Sequence, residues 1–218
     1  MNKPKILAIL CHPDDEVLAA WPVFQTDTFE KHLIITCSDV IRKGERRVNA
    51  LLEVCNQEEI WLESCLSIDN NFCALPTRRA PYTLANAVNE IENELSRIIQ
   101  KIKPDFLFTH APTGEYGHGS HRLLFEIVSQ HPQAKNVVFT DMCQRSNHRS
   151  HDEIPRSVRD AYYRKPFYML PEFEIFHDHK LDMDFYNRTK AIYDKTQSWT
   201  WDFQPIAEAN LFIINEDN

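Results

Sequence analysis

Short apolar runs alternate with longer amphipathic segments along most of this chain. The apolar run at 6–11 is typical of a strand that is buried on both faces of a parallel sheet. Strands that alternate with helices indicate an α/β protein with a mostly parallel central sheet. The predicted strands lie at 6–11, 32–37, 59–62, 105–110 and 136–140, and the predicted helices at 16–25, 42–56 and 84–103, with a further helix ending near 130.

The alternation loses its regularity after the fifth predicted strand. A short edge strand is predicted at 172–176 and a final short strand at 211–214, with a helix at 184–197 between them. Pro22 is expected to end or kink the first helix early, because proline lacks the amide hydrogen that a helix interior requires. The chain contains no internal repeat, low-complexity tract or flexible linker, so residues 1–218 are expected to form a single domain.

Composition narrows the possible partners and location. The 218 residues carry a formal net charge of −8, which disfavours binding to nucleic acid because that binding relies on Lys and Arg. No apolar run approaches the roughly 20 residues that a membrane span requires. The six cysteines form no C-x-x-C pair and are expected to be reduced thiols. The N-terminus leads into the first strand without an apolar signal segment, so a cytoplasmic location is expected.

A polar cluster directly follows the first predicted strand. His12 and Asp15 lie three residues apart across the turn from strand to helix, close enough to bind one ion together, and Asp14 adds a second carboxylate. Ligands of open α/β sheets bind outside the carboxyl ends of the strands, where this turn is expected. The alternative interpretation is structural, since Asp14 or Asp15 could simply cap the helix that follows.

A second polar cluster follows the fourth predicted strand. Its two histidines, His118 and His121, lie three residues apart at the start of a helix, after a glycine-containing loop. Together with the first cluster it offers His, carboxylate and His to one ion, and catalytic zinc sites use three protein ligands with an open fourth position. Zn²⁺ is the first choice, although iron, manganese or cobalt accept the same donors. Cys11 is disfavoured as a ligand because side chains alternate between the faces of a strand.

These motifs resemble those of the PIG-L (LmbE-like) zinc-dependent N-deacetylases. The resemblance rests on 12–16 (His-Pro-Asp-Asp-Glu), on 114–121, and on Arg42-x-x-Glu45, and it spans roughly residues 5–140. It implies a Rossmann-like three-layer fold and an enzyme that removes acetyl groups from amino sugars such as N-acetylglucosamine conjugates.

The resemblance also implies roles for individual residues. His12, Asp15 and His121 would be the metal ligands, Asp14 the general base, and His118 a residue that stabilises the oxyanion. Three further residues are expected to bind substrate: Arg42, Asp69 and Tyr116. The chain departs from the family at Ser120, where the family usually has an Asp that orients its neighbours, and this difference bears on the tuning of His118.

The predicted activity is therefore hydrolysis of an N-acetyl group on a small sugar substrate by a metal-activated water, with Asp14 taking the proton. One alternative is a metal-binding or sugar-binding module that has lost turnover, for which Ser120 is the sequence hint. Another is a metal-dependent phosphoesterase, which typically requires a second metal and more carboxylates than the predicted site offers. A homo-oligomer is possible, and neither nucleic acid nor a membrane span is expected among the partners.

Overall fold

A seven-stranded sheet of order β3-β2-β1-β4-β5-β7-β6 is the central layer of the molecule. The structure is a computed structural model that describes residues 3–38, 45–68, 80–112, 114–115, 118–140, 174–199 and 208–214. The first five strands of the order run parallel, and β7 and β6 run antiparallel to their neighbours. The strands are β1 (Lys5–Leu10), β2 (Glu30–Ile35), β3 (Ile60–Cys65), β4 (Phe106–Phe108), β5 (Val137–Thr140), β6 (Glu174–Lys180) and β7 (Glu208–Ile214).

Helices cover both faces of this sheet. Side chains of β1 alternate between two separate cores: Ile6 packs with the helices on one face, and Leu7 with those on the other. Burial of each such side chain stabilises the fold by about 1.5–3 kcal/mol, which explains why the central strand is apolar throughout. The helices are α1 (Asp15–Leu18), α2 (Trp21–Phe24), α3 (Glu45–Gln57), α4 (Ala80–Ile102), α5 (Gly119–Ser129) and α6 (Met183–Lys195).

The layers are arranged as the sequence pattern predicts for a Rossmann-like three-layer α/β fold. Helices α2, α3 and α6 contribute to the core on one face, and α4 and α5 to the core on the other. Helix α1 packs against α3 and α6 through Val17. The α4 stripe of Ile91, Leu95, Ile98 and Ile102 is fully or almost fully buried, as its helical spacing indicates. The expected fold class is confirmed.

Two details differ from the sequence prediction. The segment 16–25 forms two short helices, α1 and α2, because Pro22 is accommodated only in the first turn of a new helix. The C-terminal strand β7 lies between β5 and β6, so the predicted final strand is an interior antiparallel strand, while β6 lies at the edge of the sheet as predicted for 172–176. In the part of the chain that is described, no helix combines the length and apolarity needed to cross a membrane.

Candidate metal centre and active site

The two polar clusters meet at the carboxyl ends of β1 and β4. These strands pair in parallel register through Ile6 and Phe106, so the turn after β1 and the loop after β4 leave the sheet at the same edge. The sheet order also reverses here, since β2 lies on one side of β1 and β4 on the other. A crevice at such a reversal is where ligands of open α/β sheets bind.

Three potential ligand atoms converge in this crevice. His12 Nδ1 lies 3.2 Å from His121 Nε2 and 3.3 Å from Asp15 Oδ2, and the remaining edge, from His121 Nε2 to Asp15 Oδ2, is 3.6 Å. An ion with tetrahedral bonds of about 2.0–2.1 Å requires its ligand atoms to be roughly 3.3 Å apart. The triangle fits one small divalent ion, and all three side chains are at least nine-tenths buried.

The protonation states of this triangle also suit a cation. Burial would raise the pKa of Asp15, but the neighbouring His121 and His110 outweigh it and hold that pKa well below its usual range. Burial lowers the pKa of His121, so its imidazole is neutral at pH 7. An anionic carboxylate and neutral imidazoles are the forms in which these residues bind metal.

The turn from β1 to α1 holds Asp15 by its backbone. The His12 amide donates to Asp15 Oδ2 at 2.7 Å, which directs this carboxylate back toward the strand. Asp14 has a φ of 97°, a left-handed conformation that is uncommon outside glycine but enriched for Asp, and it costs about 1–3 kcal/mol. Asp14 occupies the cap position of α1, yet its side chain makes no capping hydrogen bond within the described helix. A purely structural capping role for Asp14 is therefore wrong.

Asp14 instead pairs with Arg47 from α3. Arg47 Nη2 donates to Asp14 Oδ1 at 2.7 Å, and both side chains are almost completely buried. Burial opposes the charge of Arg47, but Asp14 more than compensates and raises the arginine's pKa. The sequence analysis missed Arg47. The available signal was its position three residues before Ala50 and seven before Val54, on the apolar stripe of α3.

Glu16 joins this turn to the C-terminal half of the chain. The Asp14 amide donates to Glu16 Oε2 at 2.8 Å, and the Tyr193 hydroxyl of α6 donates to the other carboxylate oxygen. Burial raises the pKa of Glu16 to about 8. The last residue of the 12–16 motif therefore supports the turn and packs under it, away from the ligand triangle.

His110 and Glu115, two residues to which the sequence analysis gave no role, lie behind the triangle. Glu115 Oε2 lies 2.6 Å from His121 Nδ1, and Glu115 Oε1 lies 3.1 Å from His110 Nδ1. The rings of His110 and His121 stack with centroids 3.7 Å apart. Their signal in the sequence was weak, because a histidine that ends a strand and a glutamate in a loop acquire a role only through these contacts.

The hydrogen bonds of His110 define its tautomer. Burial would lower the pKa of His110, but the charges of Glu115 and Asp15 outweigh it and raise the pKa to about 10. The Cys11 amide, however, donates to His110 Nε2 at 2.9 Å, and a ring nitrogen that accepts from a backbone amide must be unprotonated. We adopt the neutral ring with its proton on Nδ1, because a backbone N–H is never an acceptor.

His118 borders the ligand triangle. Its ligand atom lies within 4.8 Å of those of His12 and His121, and its ring centroid is 4.4 Å from that of His121. Burial, with the neighbouring histidines, lowers the pKa of His118 to about 3, so the ring is neutral at pH 7. Ser120 is buried in the first turn of α5.

The remaining candidates are the three residues expected to bind substrate and Cys11, which was disfavoured as a metal ligand. Arg42, Asp69 and Tyr116 lie outside the described residues. The Cys11 sulfur lies within 4.8 Å of ligand atoms of His110 and His121, closer than strand alternation suggested. Burial raises the pKa of the Cys11 thiol well above its ordinary value, and a neutral thiol is a poor metal ligand. Cys11 therefore remains a weaker candidate than the other three.

Comparison with known proteins identifies the family of this chain. The family model described as PIG-L, GlcNAc-PI de-N-acetylase, matches residues 7–132, more than half of the chain. The chain belongs to the PIG-L family, and this membership supports a deacetylase of the LmbE type. The comparison with curated proteins gives no match.

Solved structures share the fold over nearly the whole chain. A deacetylase of teicoplanin biosynthesis, in complex with teicoplanin, is 12% identical with a TM-score of 0.58, covering 98% of this chain and 99% of that chain. The zinc-inhibited form of teicoplanin deacetylase Orf2 is 12% identical with a TM-score of 0.60 over the same shares. The A40926 pseudoaglycone deacetylase Dbv21 is 12% identical with a TM-score of 0.53, covering 98% of this chain and 97% of that chain. At this identity the likeness establishes the fold.

Proposed function

We propose that this chain is a metal-dependent N-deacetylase that removes the acetyl group from an amino sugar or an N-acetylglucosamine-containing conjugate. The observation that carries the proposal is the triangle of His12, Asp15 and His121 ligand atoms, with edges of 3.2, 3.3 and 3.6 Å. These three residues are the proposed ligands. Zn²⁺ is the first candidate ion, although other divalent transition metals accept the same donors.

The residues around the triangle supply the rest of the proposed chemistry. A divalent ion bound there would act as a Lewis acid that makes water nucleophilic near neutral pH and polarises the acetyl carbonyl. Asp14 accepts the proton of the attacking water, while Arg47 fixes its carboxylate through Oδ1. His118, neutral at pH 7, donates a hydrogen bond to the carbonyl oxygen as negative charge develops there.

Cleavage of the amide bond then requires a proton on the leaving nitrogen. Asp14, which has just accepted one, delivers it, or His118 gives its ring proton and is reprotonated from Asp14, so that the C–N bond breaks and acetate and a free amine leave. Both groups lie at the same crevice, and the net reaction consumes one water. A pair of groups that can hold and return one proton is what general acid–base catalysis of hydrolysis needs.

The substrate class follows from the relatives. The family is described by de-N-acetylation of a GlcNAc conjugate, and the similar structures are named as deacetylases of teicoplanin and of the A40926 pseudoaglycone. We therefore propose an acetylated amino sugar joined to a larger group, with Arg42, Asp69 and Tyr116 contacting it. We also propose that residues 1–218 form one such domain, because β7 pairs with β5 within the sheet that contains β1.

The test combines metal content with amine release. The purified protein should hold about one divalent ion per chain and release amine from at least one member of a panel of N-acetylated sugars, free and nucleotide-linked. His12→Ala and His121→Ala should lose most of the ion and the activity. His131→Gln is the matched control, since His131 lies just beyond the far end of α5 and should keep both.

Other outcomes select among the alternatives. Metal retained at wild-type content in both alanine variants would show that the ligand assignment is wrong. A bound ion without amine release from any substrate would favour the non-catalytic binding module. Phosphate release from sugar phosphates without amine release would favour the phosphoesterase.

A further inference from the structure

Glu115 is buried between two histidines at the carboxyl end of β4. Its Oε2 lies 2.6 Å from His121 Nδ1, while its Oε1 accepts from the Ala111 amide at 2.8 Å and lies 3.1 Å from His110 Nδ1. The residue is 4% exposed and has a left-handed φ of 54°, so the loop backbone departs from ordinary geometry to place this carboxylate. A glutamate held this way has both oxygens committed to the site.

The contact to His121 determines which ring nitrogen faces the other ligand atoms. An ionised carboxylate only accepts hydrogen bonds, so His121 Nδ1 carries the proton and Nε2 carries a lone pair. That lone pair is the one directed toward His12 Nδ1, 3.2 Å away, and Asp15 Oδ2, 3.6 Å away. The orientation and the basicity of a ligating histidine are commonly set by such a carboxylate.

The contact to His110 fixes the plane of the same ring. His110 is held at both nitrogens, by Glu115 and by the Cys11 amide, and its ring lies flat against that of His121 with an interplanar angle of 17°. Glu115 thus restrains His121 directly through Nδ1 and indirectly through the stacked neighbour. Two restraints on one imidazole leave it little freedom to rotate away from the crevice.

We propose that Glu115 is a positioning residue that holds His121 in the tautomer and orientation required for binding a divalent ion. The proposal rests on the proposed function, in which His121 is a metal ligand.

The test measures zinc affinity and metal-free stability separately. Glu115→Gln retains the side-chain length, but its amide group can donate to His121 Nδ1 and so move the ring proton to Nε2. Competition with a chromophoric chelator should show zinc affinity 10- to 100-fold weaker than in the wild-type protein. Thermal unfolding in excess chelator measures separately the stability that the hydrogen bonds of Glu115 contribute without metal, so a loss of stability at wild-type zinc affinity would indicate a merely structural role. Glu126→Gln, an exposed glutamate of α5, is the matched control and should leave both values unchanged.

Each outcome bears on the proposal. Unchanged zinc affinity in Glu115→Gln overturns it while leaving the proposed metal centre intact. A wild-type protein that binds no zinc overturns the proposed function itself. If Glu115→Gln does not fold, Glu115→Asp decides, since it keeps the charge but shortens the reach by one methylene. Weakened zinc affinity in a folded Glu115→Asp supports positioning, and wild-type affinity in that variant overturns it.

Discussion

The buried pair of Arg47 and Asp14 offers a quantitative test of how the proposed general base is held. Arg47→Met removes the guanidinium while retaining most of the side-chain volume. It leaves the Asp14 carboxylate, which is 1% exposed, without the cation 2.7 Å away. Removing one partner of a buried ion pair costs up to about 3–5 kcal/mol, because the remaining charge loses that counter-charge in a buried environment. For a chain of this length that corresponds to a fall in Tm of about 6–20 °C.

A double-mutant cycle separates this charge effect from loss of packing. The Asp14→Asn background has no negative charge at position 14, so the further change Arg47→Met should cost only about 1–2 kcal/mol for the lost hydrogen bond and contacts. Unfolding by heat and by urea, in excess chelator so that no metal contributes, gives the four free energies. Arg46→Met is the control, since Arg46 lies next to Arg47 on α3 but is exposed, and its loss should change stability by less than about 0.5 kcal/mol.

The reasoning fails if Arg47→Met costs the same in both backgrounds. Equal costs would mean that the arginine stabilises α3 through packing alone and that its proximity to Asp14 has no energetic consequence. Activity adds a second readout: because Arg47 holds the carboxylate through Oδ1, Arg47→Met should lower kcat more than it raises KM, as loss of a positioned base does.

Two further predictions concern the carboxylates of Asp14 and Asp15 and the distant ion pair of Arg188 with Glu58. Asp14→Asn should keep its metal while activity falls by about 10²-fold or more, because a general base is lost. Asp15→Asn should lose metal affinity and recover part of its activity in excess zinc. Rescue of Asp14→Asn by zinc would mean that the two roles must be exchanged. Arg188→Met should cost about 0.5–1 kcal/mol near pH 7, since Arg188 pairs with Glu58 but is 41% exposed. Burial would raise the pKa of Glu58, but Arg188 outweighs burial and lowers that pKa. The pair therefore stabilises the fold at pH values above 4.5, the ordinary pKa of a glutamate. In urea titrations, the difference between wild type and Arg188→Met should therefore shrink as the pH falls below 4.5, and a constant difference would contradict the assignment.

The sequence predicted the parallel half of the sheet well because the determinants there are local. The parallel strands β1, β4 and β5 are almost entirely apolar, and β1 alternates between two cores in the way that its hydrophobic stretch indicates. The antiparallel half was predicted only as isolated short strands. The placement of β7 between β5 and β6 depends on pairings between residues far apart in the chain, such as Val138 with Ile213, and no local pattern encodes them.

The residues of the candidate site also differ in whether local sequence or only tertiary contacts point to them. The spacing at strand ends brings His12 and Asp15 together and points to a histidine of the second cluster, and the family resemblance selects His121, so this ligand set stays a prediction. Arg47 and Glu115 could not be predicted, because a buried arginine on a helix stripe and a loop glutamate gain a role only when folding places them 2.7 and 2.6 Å from their partners. These residues modulate groups that carry the chemistry, and such residues are specified by tertiary contacts.

Ser120 acquires a different meaning once these contacts are considered. Taken alone, serine at the position of an orienting carboxylate suggests a site that has lost part of its machinery. Orientation of an imidazole, however, depends on where a carboxylate oxygen lies, and Glu115 places one 2.6 Å from His121 Nδ1. The loop therefore provides a carboxylate for His121, whereas the difference at Ser120 bears on His118. Zinc affinity measured for Glu115→Gln tests the first contact, and amine release by the wild-type protein discriminates between a catalytic site and a non-catalytic module.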